Sequence, residues 1–175
     1  MKKLGESWLS WWLRIRLNWL PAYRTTGGRI TFISAELNEL YAQLPMSWQT
    51  RNPVGTFFGS AIYGAFEPLY SFLLSRALGK NYIVWDRADK IIFKQPANNT
   101  LYGVAYLDAA RVKQIKRAVD STQEANFYFA LPIVNRFGEE VATLQQTLYV
   151  SRKDYYKIVQ AHRAFEKERK YGQFY

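Results

Sequence analysis

Thr56-Phe-Phe-Gly-Ser-Ala-Ile-Tyr-Gly-Ala-Phe-Glu67-Pro-Leu-Tyr-Ser-Phe-Leu-Leu-Ser-Arg-Ala-Leu78 is apolar nearly all round, with a single acidic side chain near its middle. A helix with no polar face is buried on every side. The stretch therefore predicts one central helix over about 56–78, stopped by Gly79 and Lys80. A lone carboxylate there needs a raised pKa, a hydrogen-bond partner or a chemical role, because burying an unpaired charge is costly. Glu67 is the first candidate residue. Pro68 cannot donate to the Gly64 carbonyl, so a bend is expected beside Glu67, and the glycine at 64 relieves the crowding. A membrane span of this length is argued against by the central Glu67-Pro68 and by the small residues Gly59, Ser60, Ala61, Gly64 and Ala65.

Outward from this helix the hydrophobic period changes to two. Residues 29–34 and 39–44 read as strands before it, and 82–94 and 101–107 as strands after it, joined through Pro96-Ala-Asn-Asn99. Asp108 suits the N-cap of a short helix over about 109–119. Two further strands, about 126–134 and 139–151, flank Asn135-Arg-Phe-Gly138, and Pro132 within the first implies an edge or a bulge. Residues 151–171 read as a C-terminal basic helix. The order gives an α+β fold in which one antiparallel sheet curls around the all-apolar helix. The expected organisation is an amphipathic Trp-rich helix over 1–21, a central domain over 22–152 and the terminal helix over 153–175.

The chain has 175 residues, 49% hydrophobic and 17% aromatic, which suits one domain with a substantial core and excludes a largely disordered chain. It has no Cys, so disulfides, thiol nucleophiles and Cys-ligated zinc are excluded. Its one His, His162, falls in the charged C-terminal segment and reads as a solvated helix position. Chemistry is thus expected to run on carboxylates, backbone donors and water, with no metal. The formal charge of +10 favours anionic partners. The basic residues are spread along the chain without a recognised binding motif, so no nucleic acid is expected.

Near the N-terminus, Leu4, Trp8, Trp11, Trp12, Ile15 and Trp19 recur at helical spacing, and Pro21 ends the run. Arg14 and Arg16 interrupt it, so neither a signal peptide nor a span is expected, and the absence of Cys leans the reading to a cytoplasmic protein. Two arrangements are open. The stripe docks on the domain, which is the first expectation, or it lies at an anionic membrane surface with Lys2, Lys3, Arg14 and Arg16 toward the lipid.

The pattern Asn52-x-x-Gly55-x-x-Phe58-Gly59-Ser60, with Glu67 seven residues on, resembles the Asn…His-Gly-Gly…Asp/Glu signature of hotdog-fold thioesterases of the phenylacetate-pathway and 4-hydroxybenzoyl-CoA branch. The wider stretch 20–153, most distinctively Leu44-Pro-Met-Ser-Trp-Gln-Thr-Arg-Asn-Pro-Val-Gly-Thr56, is similar to the hotdog family known as domain of unknown function 4442. The resemblance implies an acyl-CoA or acyl-carrier thioester held in a groove between subunits of a homodimer or a tetramer of dimers. Coenzyme A then enters only as part of the substrate, without a separate cofactor. It assigns Asn52 to orienting substrate or water, the Gly59 N–H to polarising the thioester carbonyl, and Glu67 to general base or nucleophile. Phe58, Ser60, Arg51, Tyr63, Trp85 and Asp86 are the expected substrate-binding set, with Arg51 toward the phosphates and Asp86 as a second carboxylate. Phe58 stands where the signature has His, and Ser60 where it has its second Gly, so a hotdog protein that binds acyl chains without cleaving them is the alternative. Gly59 and Glu67 lie about 12 Å apart along one helix at ~1.5 Å per residue, too far to act on one carbonyl, which requires a site built from two chains.

Overall fold

The computed structural model describes residues 5–171, with side chains over 5–162. The elements are α1 (Trp8–Trp19), α2 (Pro21–Arg24), β1 (Arg29–Ile33), β2 (Glu39–Leu44), α3 (Gly59–Phe66), α4 (Pro68–Leu78), β3 (Tyr82–Phe93), β4 (Leu101–Tyr106), α5 (Ala109–Thr122), β5 (Glu124–Asn135), β6 (Glu140–Arg152) and α6 (Lys153–Tyr171). The six strands form one antiparallel sheet in the order β1-β2-β4-β5-β6-β3. Alternate strand residues, among them Leu40, Ala42 and Leu44, face inward and are buried against Ile62, Ala65, Phe66, Leu69, Leu73 and Leu74 of α3 and α4. The sheet thus wraps the apolar helix, as its lack of a polar face requires. The approach is close enough that a Cβ on Gly103 of β4 would meet the Phe66 ring at 2.7 Å.

The single long helix expected over 56–78 is two helices. Pro68 has no N–H to continue the ladder, so α3 ends at Phe66, Glu67 occupies the junction and Pro68 opens α4. Side chains bond carbonyls around this break: Tyr23 donates its hydroxyl to Ala65 O at 3.1 Å, and Gln146 Nε2 donates to Glu67 O at 2.8 Å. Gly79, at φ 83°, stops α4. Asp108 caps α5 by accepting from the Arg111 N–H, and the helix runs on to Thr122 before Gln123 ends it in the left-handed region at φ 68°. Pro132 keeps its register with Thr143 of β6, and β4 pairs with β5 only at residues 133–135, so the proline stands where β5 is locally an edge toward β4; the register shift with β6 lies beyond it, between Ile133 and Val134.

The N-terminal helix docks differently from the first expectation. Ser10 and Leu13 are buried and Leu17 packs on the core, whereas Trp8, Trp11, Trp12, Ile15 and Trp19 point away from the body. Leu4, Lys2 and Lys3 lie outside the described residues. Ser7 and Ser10 form a reciprocal capping box, and Asn18 bonds Ile30 at both its N–H and its C=O, fastening α1 to β1. No described helix is long and apolar enough to cross a membrane.

Candidate active site

Glu67 stands where the broken helix meets β3, and two more carboxylates face it from that strand. In a regular strand Asp86 and Asp89, three residues apart, would point to opposite faces. The register with β6 shifts between Asp86 and Ala88, and this bulge turns both side chains inward. The result places carboxylate oxygens of Glu67, Asp86 and Asp89 within 4.8 Å of one another. Tyr63, one helical turn before Glu67, donates its hydroxyl to Asp89 Oδ2 at 2.8 Å. Gln146 of β6, only 1% exposed, donates from Nε2 to Asp86 Oδ1 at 3.2 Å as well as to the Glu67 carbonyl.

Three acids so close cannot all be ionised cheaply. Burial pushes Glu67 up to about 7, with Asp86 and then Asp89 adding to the rise. Asp86 is raised as well, by burial and by Asp89, while hydrogen bonds from Glu67 and Gln146 pull it the other way. Burial and repulsion therefore favour a proton shared between Glu67 and Asp86 over two neighbouring charges. Burial, followed by Asp89, also pushes the Tyr63 phenol well up. Asp89 Oδ1 and Gln146 Oε1 are buried without a hydrogen-bond partner among the described residues. The three carboxylates are also the one acidic group among the described residues spaced to hold a cation, whereas the sequence pointed to no metal.

Glu67 lines a cavity of about 320 Å³ whose other walls are largely apolar, among them Leu17, Tyr23, Ile30, Leu40 and Phe72. Gly59 opens α3, and no side chain caps that end, which leaves its first-turn N–H groups and the positive end of the helix dipole uncovered by side chains. A Cβ there would meet the far end of the Phe93 ring at 2.9 Å, so glycine also serves packing. Gly59 lines a separate cleft of about 400 Å³ with Phe93, Lys94 and Pro96. Asn52 spends its amide on its own loop: Nδ2 donates to Thr56 Oγ1 at 2.8 Å and to Phe57 O at 3.3 Å, and Oδ1 accepts from the Thr56 N–H at 3.0 Å. Asn52, Arg51 and Phe58 share a third cavity of about 580 Å³ with Trp48. Ser60 is exposed at the start of α3, and Trp85, 43% exposed on β3, packs on Tyr149 at 5.2 Å between ring centroids.

The chain thus brings Glu67 and Asp86 together, with Tyr63 alongside, but holds Gly59 and the Asn52 loop apart from them. Asp89 and Gln146 are the members that sequence reasoning missed. The acid triad depends on a bulge, and Gln146 arrives from a strand 79 residues further on. His162 is exposed on α6, far along the chain from these groups.

No curated protein matches the sequence. Among solved structures, the chain is similar to a protein of unknown function from Pseudomonas aeruginosa described as a probable thioesterase, at 19% identity and TM-score 0.69, over 79% of this chain and 93% of that one. It is similar to a protein of unknown function from Chlorobaculum tepidum at 13% identity and TM-score 0.68, over 87% and 100%. A thioesterase from Haemophilus influenzae aligns at 16% identity and TM-score 0.60, over 80% and 88%. At these identities the shared property is the fold, a hotdog sheet around a central helix. The model of the family described as domain of unknown function DUF4442 matches residues 9–150, and the chain belongs to that family.

Proposed function

We propose that this protein hydrolyses a thioester, of coenzyme A or an acyl carrier, by carboxylate-assisted attack of water. The observation that carries this reading is Glu67, half-buried, raised to about 7 by burial and then by Asp86, in a residue that also walls an apolar cavity. A carboxylate of that affinity is a base matched to neutral pH. In this reading Glu67 takes a proton from water, and the acyl chain occupies the cavity under α1 and α2. The uncapped start of α3 stabilises the oxyanion through the Gly59 amide. Asn52 acts through the loop it fastens, which presents Phe58 and Gly59, and Arg51 meets the anionic carrier.

A homodimer supplies the missing geometry. The outer edge of β3, 12 residues long, pairs with no other described strand, and such an edge is a template for a second chain. Antiparallel pairing centred between Asp89 and Lys90 would set Asp86 of one copy opposite Phe93 of the other, against which Gly59 packs. Glu67 and Gly59 would then meet across the interface.

A second reading, acyl binding without turnover, is favoured by Phe58, whose half-exposed ring stands where the resembling signature has a polar side chain. Thiol release from a panel of short, long and aromatic acyl-CoA substrates separates the two. Turnover abolished in Glu67→Ala supports hydrolysis. Acyl species that co-purify with a chain inactive across the whole panel leave only binding.

A further inference from the structure

α1 has two apolar faces and only one is used. Ser10, Leu13 and Leu17 face the domain. On the opposite side of the helix Trp8 is 76%, Trp11 46%, Trp12 40% and Trp19 67% exposed, with Ile15 between them. Exposing this much aromatic surface to water is unfavourable, and a contiguous patch of it marks a contact surface. Apart from Glu6, which is tied to Arg14, the charges described along it are basic. Arg16 lies over the Trp12 ring at 5.3 Å and Arg24 over the Trp19 ring at 5.1 Å. Trp19 also walls a cleft of about 1000 Å³ that contains Arg14, Arg24 and Arg29 and no acidic residue. Arg14 is neutralised there by Glu6 at 2.7 Å, which leaves two guanidiniums to act on an incoming anion.

The geometry points to an anionic lipid bilayer as the occupant of this face. Trp rings rest at the boundary between headgroup and acyl chain, where an amphipathic ring is apolar at one end and wet at the other. Arg16, Arg24 and Arg29 reach the phosphates beside them, and the chain's charge of +10 adds long-range attraction to a negative surface. A second copy of this chain fits less well, since it would bring the same basic rim against itself. The inference does not depend on thioester hydrolysis, because it uses the outward face of α1 and none of the carboxylates.

The test is cosedimentation of the full chain with phosphatidylcholine vesicles, with and without phosphatidylglycerol, at low and high salt. The chain is expected to pellet with the anionic vesicles at low salt, to be released by high salt, and to stay in solution with phosphatidylcholine alone. Replacing Trp8, Trp12 and Trp19 together by Ser, or Arg16 and Arg24 together by Glu, is expected to lower vesicle affinity at least tenfold with an unchanged circular dichroism spectrum. Should a variant not fold, quenching of the wild-type Trp fluorescence by brominated phosphatidylglycerol decides the matter. Wild-type protein that remains in solution, binds both vesicle types equally or shows no bromine quenching overturns the proposal. So does a folded Trp variant that pellets like the wild type, or one that turns a lipid-free dimer into a monomer.

Discussion

Glu67 owes its character to where the chain puts it. It is the last residue before a proline, at a helix break whose carbonyl is held by Gln146, facing two acids from a bulged strand. Its folded pKa, about 7, lies above the ordinary 4.5, so between those values the folded state binds a proton that the unfolded chain has lost. Stability from this group is therefore greatest below about pH 4.5 and falls as pH rises to about 7. Glu67→Gln is expected to stabilise the protein by about 1–2 kcal/mol at pH 8, after allowance for solvent screening, and to lose that advantage at pH 4. Urea denaturation at the two pH values measures it, and an equal effect at both would contradict the shared-proton description. Gln146→Leu strips Glu67 O and Asp86 of a donor and is expected to cost about 1–3 kcal/mol in the same assay. Glu67 and Asp86 were legible in sequence because a carboxylate among apolar residues is conspicuous. Asp89 was not, since regular strand alternation puts it on the wrong face. Gln146 was not either, because a single Gln in a strand carries no local signal.

The elements follow hydrophobic period closely, and the departures have local causes. The all-apolar run specified a buried helix, and Pro68 divided it at the expected place. Close packing of that helix on the sheet depends on side chains absent from facing positions. Gly103→Ala would place its Cβ 2.7 Å from the Phe66 ring, which is fully buried and has nowhere to go. Overpacking of this kind is expected to cost about 1–3 kcal/mol, read as a lowered denaturation midpoint with an unchanged denaturant slope. The orientation of α1 was the element least legible in sequence. Periodicity identified its aromatic stripe correctly, but a helix with apolar residues on two sides does not announce which side docks. The capping box, the Asn18 bonds to Ile30 and the snug Leu13–Leu17 strip decide it, and the bulky Trp rings are left outside.

At the scale of the whole molecule, the proposed hydrolysis needs assembly, because Gly59 opens α3 and Glu67 stands beyond its other end. The exposed Trp85 and Phe93 side chains stand eight residues apart along the open β3 edge. Replacing both by Lys is expected to convert a dimer to a monomer in sedimentation equilibrium, with at least a tenfold loss of thiol release. A monomer of full activity would rule out a two-chain site. The fold as a whole was readable because a sheet must cover a helix that has no polar face. The proposed second chain rests on a distance that one helix cannot bridge. Chemistry at Glu67 is tested most directly by thiol release from a cleaved acyl-CoA, measured from pH 5 to 9 for the wild type and Glu67→Gln. The wild-type rate is expected to rise with a single inflection near pH 7, as Glu67 gives up its proton, and the variant to fall by about 10²–10⁴-fold. A wild-type profile without that inflection, or a variant of undiminished rate, would contradict Glu67 as the base.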